Sequence, residues 1–160
     1  LIVYLGVGSN IDADHHINIA KQAIQTYYPS SQFSRTFESE AVGFVGDNFL
    51  NLVAEIETST PLEQLIEDIK HLEDQLGRVR GGEKFSSRTI DIDILLYGDL
   101  ICEKPIVLPR DEILENAYVL WPLSEMRPLL KVPGSNQTYS QKWQAFNKDS
   151  QKIVPLDKNG

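Results

Sequence analysis

Residues 88–98 read RTIDIDILLYG, and the alternation of Ile90, Ile92 and Ile94 with Asp91 and Asp93 restricts what this stretch can become. A helix would scatter these side chains around its circumference. A strand instead sends residues i and i+2 to one face, about 6.5–7 Å apart. The isoleucines then enter a core, and Asp91 and Asp93 point together the other way. Just upstream, residues 77–88 are rich in glycine and carry Arg78, Arg80, Lys84 and Arg88 against the single anion Glu83, in a chain of net charge -8. A bare pair of acids on a strand is more often solvated or salt-bridged than functional. Here the pair sits on a structured strand fed by a cationic loop, which suits a metal ion carrying a polyphosphate: magnesium takes one or two protein carboxylates plus phosphate oxygens, and arginine grips those oxygens bidentately.

The remaining composition narrows the class. The chain has 160 residues, 41% of them hydrophobic and 24% charged, which suits one globular domain over 1–160 with its own core. The acidic balance argues against a nucleic-acid partner, whose footprint is usually basic. Cys102 is the single cysteine, which excludes an intrachain disulfide and a cysteine-built metal cluster. Without a long apolar run or a basic stretch leading into one, no membrane partner is expected and the location expected is cytoplasmic. Leu1 falls within strand-like sequence, as though an initiator residue had been trimmed.

Read in order, residues 1–7 (LIVYLGV) are a buried strand ending in Gly8-Ser9-Asn10. A helix follows, capped by Asp12 or Asp14, with Ile17, Ala20, Ala23, Ile24 and Tyr27 as its apolar stripe and Pro29 as its stop. Residues 32–39 (QFSRTFES) form a second strand, 40–48 a glycine-containing loop, and 49–58 (FLNLVAEIET) a third strand. Thr60 is the expected cap and Pro61 the first residue of a second helix, which buries Leu62, Leu65, Ile66, Ile69, Leu72 and Leu76 and stops at Gly77. With the Asp strand the order is βαββαβ. That predicts an α+β, ferredoxin-like sandwich: an antiparallel sheet with both helices on one face and the other face free for ligand. C-terminal additions follow: one helical turn near 110–116, an apolar segment at 118–123, an amphipathic helix over 139–146 and a frayed tail over 148–160.

Asn10 and Asn51 stand where strands meet the open face. An exposed asparagine is usually a turn residue, but an inward-pointing amide offers a donor and an acceptor to a heterocycle edge. Phe49 and Tyr118 are most simply core aromatics, and either suits stacking on a flat ring. Residues 6–9 lack the P-loop lysine and the dinucleotide glycine spacing.

GSN at residues 8–10, FLN at 49–51, GRVR at 77–80, RTIDIDILLYG at 88–98 and LWPLSE at 120–125 together resemble the 6-hydroxymethyl-7,8-dihydropterin pyrophosphokinase family over nearly the whole chain. The resemblance implies the ferredoxin-like fold and transfer of diphosphate from ATP to the pterin hydroxymethyl oxygen, releasing AMP, in folate biosynthesis. It implies Asp91 and Asp93 as ligands of two magnesium ions and Arg78 and Arg88 as catalytic cations. Asn10 and Asn51 would bond the pterin, Phe49 and Tyr118 sandwich it, and Ser39 and Val42 complete that pocket. Glu73, Arg78, Lys84 and Arg88 would meet ATP, and Arg110, which stands at a departure from the family pattern, would still supply a cation to it. The partners expected are therefore ATP and a hydroxymethyl dihydropterin, with the chain a monomer. A divergent paralogue that binds pterin with little transfer is the alternative. The sequence departs from the family at Phe85, Ser86 and Ser87, where a Trp and a Pro are usual, at Arg110-Asp111, where His-Tyr is common, and at Asn116, where an arginine is common.

Overall fold

The computed structural model describes residues 1–40, 48–77 and 90–156. Its elements run β1 (Ile2–Ser9), α1 (Ala13–Tyr27), β2 (Gln32–Phe33), β3 (Phe37–Ser39), β4 (Phe49–Glu57), α2 (Leu62–Gln75), β5 (Asp91–Tyr97), α3 (Glu112–Glu115), α4 (Ala117–Met126), α5 (Tyr139–Ala145) and β6 (Ile153–Pro155). All neighbouring strands are antiparallel, in the order β5-β1-β4-β3-β6, with β2 also pairing β4. This is the ferredoxin-like arrangement expected from the βαββαβ order, with its second strand in two pieces. The break has a local cause. The Ser34 hydroxyl accepts from the Val53 amide at 2.9 Å, occupying a ladder position with a side chain. Arg35 then turns outward to pair with Glu125 at 2.6 Å.

Both α1 and α2 lie on one face. Ile17, Ala20 and Ile24 from α1 and Leu65, Ile69 and Leu72 from α2 share a core with the alternate residues Val3, Leu5 and Val7, Leu50, Leu52, Ala54 and Ile56, and Ile92 and Ile94. Period 2 on the strands meets a one-sided stripe on the helices, and the intervening strand residues are left for the second face.

Three expectations need correction. The second face is not wholly free: α4 and α5 bury Val119, Leu120, Leu123 and Tyr139 against Tyr4, Val53, Leu95 and Leu96 there, giving a three-layer end. A register shift between Tyr4 and Leu5 assists, because such a bulge lets Leu95 and Leu96 both serve the same core. The tail is not frayed through its length. Residues Lys148–Ser150 form a 3-10 turn, and β6 pairs β3 with Ile153 opposite Ser39. The cap of α2 falls on Pro61, because the Thr60 hydroxyl is taken by Thr58 at 2.9 Å. At α1, Asp12 holds the cap position with φ 46° and makes no side-chain cap bond. Gly77 does close α2, at φ 94°, a left-handed value that glycine adopts without strain. Among the described residues, no helix is long and apolar enough to cross a membrane.

Candidate active site

Strand register brings the predicted polar residues to one trough on the second face. In β1, Gly8 lies opposite Asn51 of β4 on one side and Asp91 of β5 on the other. With adjacent strands about 4.8 Å apart, Asn51 and Asp91 face each other across a floor about 10 Å wide. That floor has no side chain at Gly8. A Cβ there would stand 2.9 Å from Asn51 Oδ1, so glycine leaves the amide its place. Gly6 similarly lies opposite Asp93. Asn51 is buried and its Nδ2 donates to Ser39 Oγ at 2.9 Å, which fixes the orientation of the amide. Asn10, which follows β1, is also buried, and Phe49 is half-buried at the start of β4.

On the opposite wall, burial first, and then the negative charges of Asp91, Glu112 and Glu73, hold the Asp93 carboxyl well above its ordinary 3.8, with Arg110 acting the other way. Burial raises the Glu112 carboxyl too, with Arg110 beside it acting the other way. Tyr118, in the first turn of α4, is half-buried and its hydroxyl accepts from Asn116 Nδ2 at 2.9 Å. Burial, followed by the charges of Glu112, Asp93 and Asp91, pushes its phenol up to about 12, so it stays protonated at neutral pH and faces the acid cluster.

The strand that carries the aspartates is held from outside. β5 is an edge strand, whose outer amides and carbonyls need partners. Buried Glu73 of α2 accepts from the Ile92 amide at 2.7 Å. Arg110 Nε donates to the Ile94 carbonyl at 3.1 Å and lies 3.8 Å from Glu112, while its backbone amide donates to the Leu95 carbonyl at 3.0 Å. Sequence reasoning named Glu73 and Arg110 for ATP, and the structure sets both against the edge of β5. Glu112 was not anticipated; its only sequence signal was position, one residue past the expected Arg110-Asp111 pair. Val42, Arg78, Lys84 and Arg88 lie outside the described residues, as does the departure at Phe85 to Ser87.

A family model for 7,8-dihydro-6-hydroxymethylpterin-pyrophosphokinase matches residues 4–128. The chain belongs to this family. The 2-amino-4-hydroxy-6-hydroxymethyldihydropteridine pyrophosphokinase of Aquifex aeolicus is 36% identical over 129 residues, which are 79% of this chain and 80% of that protein. The Bacillus subtilis enzyme of the same name is 32% identical over 130 residues, 78% of this chain and 77% of its own. A crystal structure of HPPK-DHPS in complex with substrates matches with a TM-score of 0.70 across 93% of this chain at 12% identity, a likeness of fold. This pyrophosphokinase chain spans 44% of that longer one.

The donor set fits the magnesium that goes with a pyrophosphokinase. Asp91 and Asp93, two residues apart on β5, are two carboxylate donors that would suit such an ion. Two carboxylates with phosphate oxygens and water are what magnesium accepts. A bound cation would relieve the crowding of negative charge at Asp93.

Proposed function

We propose that this chain transfers the β,γ-diphosphate of ATP to the hydroxymethyl oxygen of 6-hydroxymethyl-7,8-dihydropterin, releasing AMP, in folate biosynthesis. The observation that carries this reading is the placement of Asn51 and Asp91 on either side of Gly8, within a chain of the pyrophosphokinase family. The hydroxymethyl oxygen attacks the β-phosphorus, and the bond from that phosphorus to the bridging α-oxygen breaks, leaving with AMP. Its proton goes to solvent.

On this reading Asn51, its amide fixed by Ser39, bonds the pterin edge together with Asn10, and Phe49 and Tyr118 pack on the ring faces. Asp91 and Asp93 hold two magnesium ions, which when bound neutralise the triphosphate. Glu73 and Arg110 keep β5 in place beneath the aspartates. Arg78, Lys84 and Arg88 are assigned to the phosphates by their correspondence with the family pattern, and Val42 to the pterin pocket in the same way. Catalysis then rests on positioning and charge, with no covalent enzyme intermediate. The reading takes the chain as a monomer working on two small substrates in the cytoplasm.

The test is incubation with ATP, magnesium and the hydroxymethyl pterin. AMP is expected, and Asp93→Ala is expected to remove it, since a metal ligand and its charge are lost. ADP as the nucleotide product would refute the assignment. Pterin binding without AMP would favour the divergent paralogue.

A further inference from the structure

The family match ends at residue 128, yet a segment beyond it touches both walls of the trough. Gln151 places its Oε1 2.7 Å from the Ala117 amide and its Nε2 2.8 Å from the Glu115 carbonyl. The amide's orientation follows from its partners, since one of them can only donate and the other only accept. Ala117 is the first residue of α4, where backbone amides have no partner within the helix. Gln151 thus bridges the end of α3 and the start of α4, next to Tyr118. Two residues later the same segment becomes β6, where Ile153 pairs Ser39 and the Leu156 amide donates to the Thr36 carbonyl at 2.9 Å. Ser39 is the partner of Asn51. Before Gln151 the segment is tied to α5 by Lys148, whose Nζ donates to the Trp143 carbonyl at 2.7 Å.

We propose that residues 148–156 form a strap that sets the width of the pterin trough, with Gln151 as a positioning residue that holds the Tyr118 wall against the Ser39–Asn51 wall. This rests on the pterin reading above. The strap's bonds run to the start of α4, which carries Tyr118, and to β3, which carries Ser39, so its effect is expected on pterin before ATP. Gln151 spends its amide on the Ala117 and Glu115 backbone, so it works through the first turn of α4.

Gln151→Met keeps the length of the side chain and removes both bonds. It is expected to raise the KM for the hydroxymethyl pterin about tenfold, with kcat and the KM for ATP within about twofold, as the loss of two hydrogen bonds at one hinge implies. Gln151→Glu keeps the acceptor for the Ala117 amide and is expected to fall between Gln151→Met and wild type. It also serves as the test if Gln151→Met does not fold. Calorimetry with the pterin and a non-hydrolysable ATP analogue gives the same ranking independently of turnover. An unchanged pterin KM and affinity in a wild-type background that makes AMP would overturn the strap while leaving the function intact. So would an equal rise in both KM values. A wild type that neither binds pterin nor makes AMP would overturn the function itself, and the strap with it.

Discussion

Asp93 carries its charge beside Asp91, Glu112 and Glu73, where burial already disfavours it. Its pKa in the folded, metal-free protein lies above the ordinary 3.8, so the stability it contributes is full below that value and is lost as pH rises through the raised one. Asp93→Asn should therefore melt at a higher temperature than wild type near neutral pH in a chelator, with the gap closing as pH falls below about 4. A variant no more stable than wild type at neutral pH would refute the crowding. Glu55 behaves in the opposite sense. Burial favours its neutral form, but two bonds from Arg127, at 2.7 and 2.9 Å, and one from Tyr4 at 2.7 Å hold its carboxyl below the usual 4.5. That contribution is present above 4.5 and lost as pH falls through the lowered value. Glu55→Gln should cost about 1 kcal/mol at neutral pH, the lower end for a charged hydrogen bond because Arg127 is partly solvated, and nothing in strong acid. Urea titrations at several pH values measure both. Neither carboxylate's environment was visible in sequence, since Glu112 and Arg127 reach them only through tertiary packing.

At the scale of elements, β1 works by what it omits. Gly8→Ala would press a methyl against Asn51 Oδ1 and force the amide off Ser39, while leaving the backbone ladder intact. Pterin KM should rise about tenfold with kcat nearly unchanged, as loss of one fixed hydrogen-bonding amide implies; steady-state kinetics with pterin varied checks it. The helices α1 and α2 were legible because each buries a single stripe, β5 because its isoleucines alternate with aspartates, and β1 and β4 because apolar β-forming runs end at turn residues. The split of the second strand was not, because it depends on Ser34 reaching across to Val53. The trough itself was half legible. The carboxylate pair follows from alternation within β5, whereas its placement opposite Asn51 needs the register of three strands that are far apart in the chain.

For the whole molecule, the sheet is wedged between two cores, one built by α1 and α2 and one by α4 and α5. Leu123, fully buried in the second core, should cost about 2–5 kcal/mol when cut to Ala, whereas Leu129→Ala, at a site 85% exposed, should stay within about 0.5 kcal/mol. Denaturant midpoints decide this, and a small loss at Leu123 would mean that the second layer is dispensable. The sequence marked residues 118–123 and 139–146 as apolar or amphipathic without saying which face they cover, because a helix stripe carries no address. The tail was misjudged for a similar reason: its polar residues, Gln151 above all, spend their hydrogen bonds on distant backbone. The second layer has an optical consequence. Both tryptophans of the chain, Trp121 and Trp143, stack at 5.2 Å, and Trp121 packs 4.9 Å from the ring of Phe37, the register partner of Asn51. The protein's tryptophan emission therefore originates at one corner, behind the wall assigned to the pterin in the proposed function, and filling of that pocket should be visible in it without attaching a dye.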